Sequence, residues 1–181
     1  DGGADIEIPL VERAVKLCKC DLLTRMVGEF PELQGAMGRT YALAQGEPLA
    51  VAQALDEFYA PRFAGDAIAS GRVAQALAIA EKPDTLAGMF AIGQKPSGNK
   101  DPFPLRRHAL GLARTLIEGG LDLDLLALIH DALDRARIDA ARIAEEKGTP
   151  IDSSVDAKTL AGELYDYIIE RLRGYYSDQG I

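Results

Sequence analysis

Between its prolines and glycines the chain repeats one pattern, with apolar residues at steps of three and four. Val11, Val15, Cys18, Leu22 and Met26 show it near the start. Leu125, Leu128, Ile129, Leu133 and Ala136 show it later, as do Leu160, Leu164, Ile168, Leu172 and Tyr175. That spacing gathers apolar side chains on one face of a helix. No stretch alternates apolar and polar residues as a half-buried strand would. Tryptophan is absent and aromatics are 6% of residues, so the 48% hydrophobic content is mostly Ala, Leu, Ile and Val. Such content favours close-packed helices over a sandwich of sheets. The expectation is all-α: residues 1–181 as a single domain of about seven helices.

Breakers set the helix limits. Pro9 opens the first helix, whose stripe runs through Met26. The helix ends at Phe30, because a residue before proline leaves the α region. Pro31 starts a second helix through Leu33, Met37, Tyr41 and Ala44. Gly35 and Gly38 fall inside it, where each costs roughly 1 kcal/mol against alanine. Close approach of another helix is the expected compensation. Pro48 opens a third helix to about Tyr59, and a loop follows around Gly65 and Asp66. A long helix runs from Gly71 towards Ile92, kinked at Pro83. Gly93 caps it. Asp101 caps the next helix, with Pro102 in its first turn, and Glu118 ends it. Asp122 or Asp124 caps a helix to Lys147, and one more helix closes the sequence.

The net charge is −8, from 28 acidic and 20 basic residues. This argues against nucleic-acid binding by the whole surface, since phosphate affinity needs clustered Lys and Arg. Cys18 and Cys20 are the only cysteines. Two positions apart on a helix they point to opposite sides, so no disulfide is expected, in keeping with a reducing, cytoplasmic setting. The apolar runs fall short of the ~20 residues of a membrane helix. The sequence starts without methionine and reads as a piece of a longer chain.

Few residues suggest catalysis. No phosphate-binding glycine loop, dinucleotide fingerprint or nucleophile elbow is present. His130 and Asp131 spell the dipeptide of the HD metal phosphohydrolases. His108, His130-Asp131 and Asp152 or Asp156 would supply that ligand order. Against this, Asp131, Asp134 and Arg135 make the surroundings of His130 a solvated helix face. With two histidines in all, a metal site would lack spare ligands and supporting partners. The expected catalytic and metal residues are therefore none.

The stretch from Glu81 to Arg107 is the best functional candidate. It reads as helix, polar loop, helix. Lys95, Lys100, Arg106 and Arg107 outnumber Asp101 and leave a local charge of +3. They sit near the N–H groups of a helix start, which favour anions. A phosphate backbone suits such a corner. Pairing of the two arginines with acids on neighbouring helices is the competing use. Arg62, before Gly65-Asp66, can join either role.

The strings of this chain resemble the beta subunit of bacterial glycyl-tRNA synthetase. They are KCDLLTRMVGEF from Lys19, LQGAMGRTYA from Leu33, PRFAGD from Pro61, DTLAGMFAIGQKP from Asp84, then KDPF and LRR, and finally RLRGYYSDQG. Residues 122–156 are the least distinctive part. The resemblance implies an internal, HD-like helical domain. It puts Cys20-Asp21 where HD enzymes carry His-Asp, and Asp84 near their later aspartate. Cys20 replaces the histidine, so the metal set is eroded and phosphohydrolase activity is not carried over.

The family's whole enzyme joins glycine to its tRNA with ATP and magnesium, which the resemblance assigns to the alpha subunit. The implied partners are glycine tRNA, the alpha subunit and the rest of the beta subunit, with no membrane. The implied role is a noncatalytic module, without a cofactor of its own, that supports tRNA binding and architecture. A metal-dependent phosphohydrolase and a purely structural docking module are the alternatives.

Overall fold

A computed structural model describes residues 7–63, 65–96, 100–148 and 156–180. Among them are eight α-helices and no strand, as the apolar spacing predicts. The chain divides into two compact units, residues 1–80 and 81–181.

The first unit starts with α1 (Ile8–Leu17), which Pro9 opens. The single long helix expected here is in fact broken. Lys19 takes a left-handed conformation at φ 63°, which no helix tolerates inside it. A tight helical turn at Cys20–Leu23 follows, then α2 (Arg25–Glu29). Thr24 explains the restart: its hydroxyl accepts from the Val27 N–H at 3.3 Å, a helix N-cap. The expected stripe is thereby divided, and Val15, Leu22 and Met26 are exposed while Ala14 and Val27 are buried.

The second expected helix also divides. A short turn at Pro31–Leu33 precedes α3 (Ala36–Ala44). Gly35 is the residue before α3, at φ +85°. A Cβ there would lie 2.9 Å from the Tyr59 ring and 3.0 Å from Asp56 Oδ1. Gly38, inside α3, faces Leu55 and Asp21 at 3.5 and 3.4 Å. Close packing is thus the use of both glycines, and a positive φ is a second use of Gly35.

α4 (Leu49–Glu57) packs on α3 and α1. Its apolar face, with Val51, Ala54 and then Phe58, meets Ala14, Val73, Ala74 and Leu77 in the core of this unit. α5 (Arg72–Ala91) supplies Val73 to Leu77 and continues through Pro83 as one element.

In the second unit, α6 (Leu105–Glu118) and α7 (Leu125–Lys147) each pack on α8 (Ala157–Asp178). Leu105, Leu112, Ile129, Leu133, Leu164 and Ile168 are fully buried there. Asp124 caps α7 by accepting from the Leu126 and Ala127 N–H groups. Gly148 ends it at φ +62°. α6 begins three residues later than Pro102 suggests. Asp101 and Phe103 each precede a proline, and that position disfavours helical backbone.

Candidate functional site

The cationic corner lies in the second unit, where α5 ends and α6 begins. The α5 end is closed by Gly93 at φ +73°. Its N–H donates to the Phe90 carbonyl at 3.1 Å, and the Gln94 N–H donates to Met89 at 2.9 Å. Across the loop, Asp101 reaches forward to the start of α6. Its Oδ1 accepts from the Leu105 N–H at 2.8 Å and its Oδ2 from the Arg106 N–H at 2.9 Å. Two of the amides expected to attract an external anion are therefore already bound by an internal carboxylate. Anion affinity at this corner must come chiefly from side chains.

Those side chains differ in setting. Lys100 and Arg107 are exposed, and Arg106 is half-buried. Lys95 forms an ion pair with Glu163 of α8, and its ammonium lies 5.6 Å from the centre of the Phe90 ring. Pairing with an acid on a neighbouring helix is the competing use anticipated for Arg106 and Arg107, and Lys95 makes such a pair. The pair is exposed on both sides, so water and salt weaken it and it remains exchangeable for a phosphate.

Tyr167 forms the floor beside Phe90, with ring centres 5.4 Å apart. Burial, reinforced by the charge of Asp101, pushes its phenol up to about 12. The Arg171 guanidinium sits 5.5 Å from the Tyr167 ring centre. Sequence reasoning missed Glu163, Tyr167 and Arg171. They are four residues apart on α8, and that step on one helix face was the available signal.

Arg62 belongs to the first unit. Its guanidinium donates to Asp56 Oδ1 at 2.6 Å and lies 5.7 Å from the Tyr59 ring centre. Its backbone N–H donates to Asp66 Oδ2 at 2.8 Å. Arg62 thus braces the loop that follows α4.

The positions that the resemblance sets beside the HD residues, Cys20, Asp21 and Asp84, are also described. Cys20 is exposed and Asp21 is buried, both in the first unit. Asp84 is exposed on the part of α5 within the second unit. Asp21 Oδ2 accepts from the Gly35 N–H at 2.7 Å. Among the described residues no three His, Cys, Asp or Glu side chains are grouped to hold a metal. The described donors therefore do not compose an HD metal centre.

The alternative ligand order is dispersed into other tasks. His130 is exposed, and the adjacent Asp131 pairs with Arg135 at 3.0 Å. His108 Nδ1 lies 3.5 Å from Glu81. Asp156 caps α8 through the Thr159 N–H. Asp152 lies outside the described residues.

Comparison with known proteins decides the family. Residues 4–181 match the family described as glycyl-tRNA synthetase beta subunit. The chain belongs to that family. A glycine-tRNA ligase beta subunit of Xanthomonas campestris pv. campestris is 54% identical over 169 residues, covering 93% of this chain and 23% of the relative. The Xylella fastidiosa protein of the same name is 50% identical, over 95% of this chain and 26% of that protein. That of Aeromonas hydrophila is 48% identical, over 99% and 24%. The chain spans about a quarter of the length of these curated relatives. No helix among the described residues is long and apolar enough to cross a membrane.

Proposed function

We propose that this chain is a noncatalytic, HD-like domain of a glycyl-tRNA synthetase beta subunit, folding as one domain of two units. It helps to hold glycine tRNA and to build the subunit assembly. In that assembly the alpha subunit forms the adenylate with ATP and magnesium in the cytoplasm, and the remainder of the beta subunit completes the tRNA surface. The observation that carries the reading is the grouping of Lys95, Lys100, Arg106 and Arg107 at one corner of a protein of net charge −8. A local cationic site in an acidic protein is suited to a limited stretch of phosphate backbone.

The test uses the assembled enzyme. Neutralising Lys95, Lys100, Arg106 and Arg107 in the full beta subunit raises KM for tRNA and leaves KM for ATP unchanged. An unaltered KM for tRNA rejects the corner as the contact.

A second reading has its own support. Ile138 is 68% exposed and Ile143 is 43% exposed on the outer half of α7. Five positions apart on the helix, the two point to different sides, so each offers a separate apolar contact to the rest of the beta subunit. Replacing both with polar residues would then impair assembly without affecting tRNA contact at the corner.

A further inference from the structure

An arginine binds a carboxylate or phosphate best along one edge, where the Nε and Nη2 N–H groups point the same way and meet two oxygens at once. Two arginines of this chain fill that edge. Arg114 donates from Nε at 2.5 Å and from Nη2 at 3.0 Å to the two oxygens of Glu118. Arg13 donates from both nitrogens to Glu47. Arg171 leaves the edge half-filled. Its Nη2 lies 3.0 Å from Glu170 Oε2, while its Nε is buried without a hydrogen-bond partner among the described residues. The cause is local. Adjacent helix residues point about 100° apart and do not face each other, so Glu170 meets the tip of the guanidinium and not its side.

A buried N–H on a charged group is costly to leave unmatched. An acceptor with two oxygens would match Nε and Nη2 together. Glu170 can give way to one, because its side chain is 69% exposed and an ion pair so open to water is weak.

Arg171 also continues the cationic corner along α8. Its guanidinium lies over Tyr167, Tyr167 meets Phe90, and the Lys95 ammonium lies over Phe90. Two cations thus bracket two aromatic rings. Each is held by an exposed glutamate of α8, Lys95 by Glu163 and Arg171 by Glu170. The two glutamates are seven residues apart, which sets them on one side of the helix. Asp101 also acts on Tyr167, but its two oxygens are turned to the α6 amides. We propose that Arg171 is a further phosphate contact of this corner: RNA backbone displaces Glu170 and lays two oxygens of one phosphate on Nε and Nη2. This rests on reading the corner as an RNA contact, and adds to it a residue of α8 and a glutamate that competes with the ligand.

The test measures tRNA binding by the assembled enzyme across a range of salt. Glu170→Gln removes the competing charge and should tighten binding about two- to fivefold. Arg171→Gln should weaken it about tenfold and reduce the slope of log affinity against log salt by about one. Arg171→Lys keeps the charge without the edge, so it should restore the slope and only part of the affinity. In the Arg171→Gln background, Glu170→Gln should give no gain. A gain of binding cannot come from a misfolded variant, so the Glu170 result stands apart from any loss of stability. Parental affinity and slope in Arg171→Gln overturn the proposal. So does an absent gain in Glu170→Gln, or an equal gain with and without Arg171, which marks a general charge effect. The variant with Lys95, Lys100, Arg106 and Arg107 neutralised is measured alongside. If it loses binding and Arg171→Gln does not, this proposal fails and the corner reading stands; if neither loses binding, both fail.

Discussion

The Asp21 carboxylate and the Gly35 backbone N–H are joined at 2.7 Å across fourteen residues of chain. This bond ties the turn after α1 to the start of α3. It also gives the lysine at position 19 a reason to adopt its left-handed conformation, since the chain must turn there to bring Asp21 back. Two glycines make the approach possible, Gly35 by its φ and Gly38 by its missing side chain.

Gly35→Ala should therefore destabilise the fold by about 1–3 kcal/mol, combining a positive φ with a crowded Cβ. The Arg62 guanidinium can move aside, but the Tyr59 ring at 2.9 Å is held more firmly. Urea unfolding checks this. The same change at Gly46, also at positive φ but with open space around it, should cost less.

Tyr167 offers a pH test. Its phenol is raised from 10.0 to about 12, mainly by burial. The folded state therefore holds the proton more tightly than the unfolded chain. The resulting stability is fully present below pH 10, and is lost as pH rises through about 12. Tyrosinate absorbance should show one late-titrating residue that disappears in Tyr167→Phe. Because the Tyr167 hydroxyl is buried without a hydrogen-bond partner among the described residues, that variant should unfold at an unchanged or slightly higher denaturant concentration at neutral pH.

Asp101 secures the start of α6 with two hydrogen bonds. Asp101→Ala should cost about 1–2 kcal/mol, as loss of a helix cap does. It should also free two amides for anions. Thermal unfolding with and without added phosphate would show both effects: a lower midpoint, and more stabilisation by phosphate than in the parent chain.

The second unit should be most sensitive at α8. Leu164 is fully buried, on the helix that contacts both α6 and α7. Leu164→Ala should cost about 2–5 kcal/mol, whereas Tyr165→Ala, at 37% exposure, should cost far less. Chemical denaturation of the two variants makes the comparison.

Much of this architecture is legible in the sequence because helices depend on local chemistry. The apolar steps in α7 and α8, the Asp124 cap and the Gly93 end all lie within a few residues of what they control. The first forty residues are harder to read. The stripe from Val11 to Met26 obeys helical spacing, yet the left-handed turn at Lys19 is imposed by a partner fourteen residues beyond Asp21. The corner shows the same division. Its cations are visible in sequence, but the pairing of Lys95 with Glu163 spans 68 residues. The capture of the α6 amides by Asp101 depends on where two prolines delay the helix.

The most direct test of the central claim is the salt dependence of tRNA binding by this chain. It is measured for the parent and for a variant with Lys95, Lys100, Arg106 and Arg107 neutralised. The account predicts weaker binding by the variant, and a slope of log affinity against log salt reduced by about one for each phosphate contact removed. Equal affinity and an equal slope for the two proteins would contradict it.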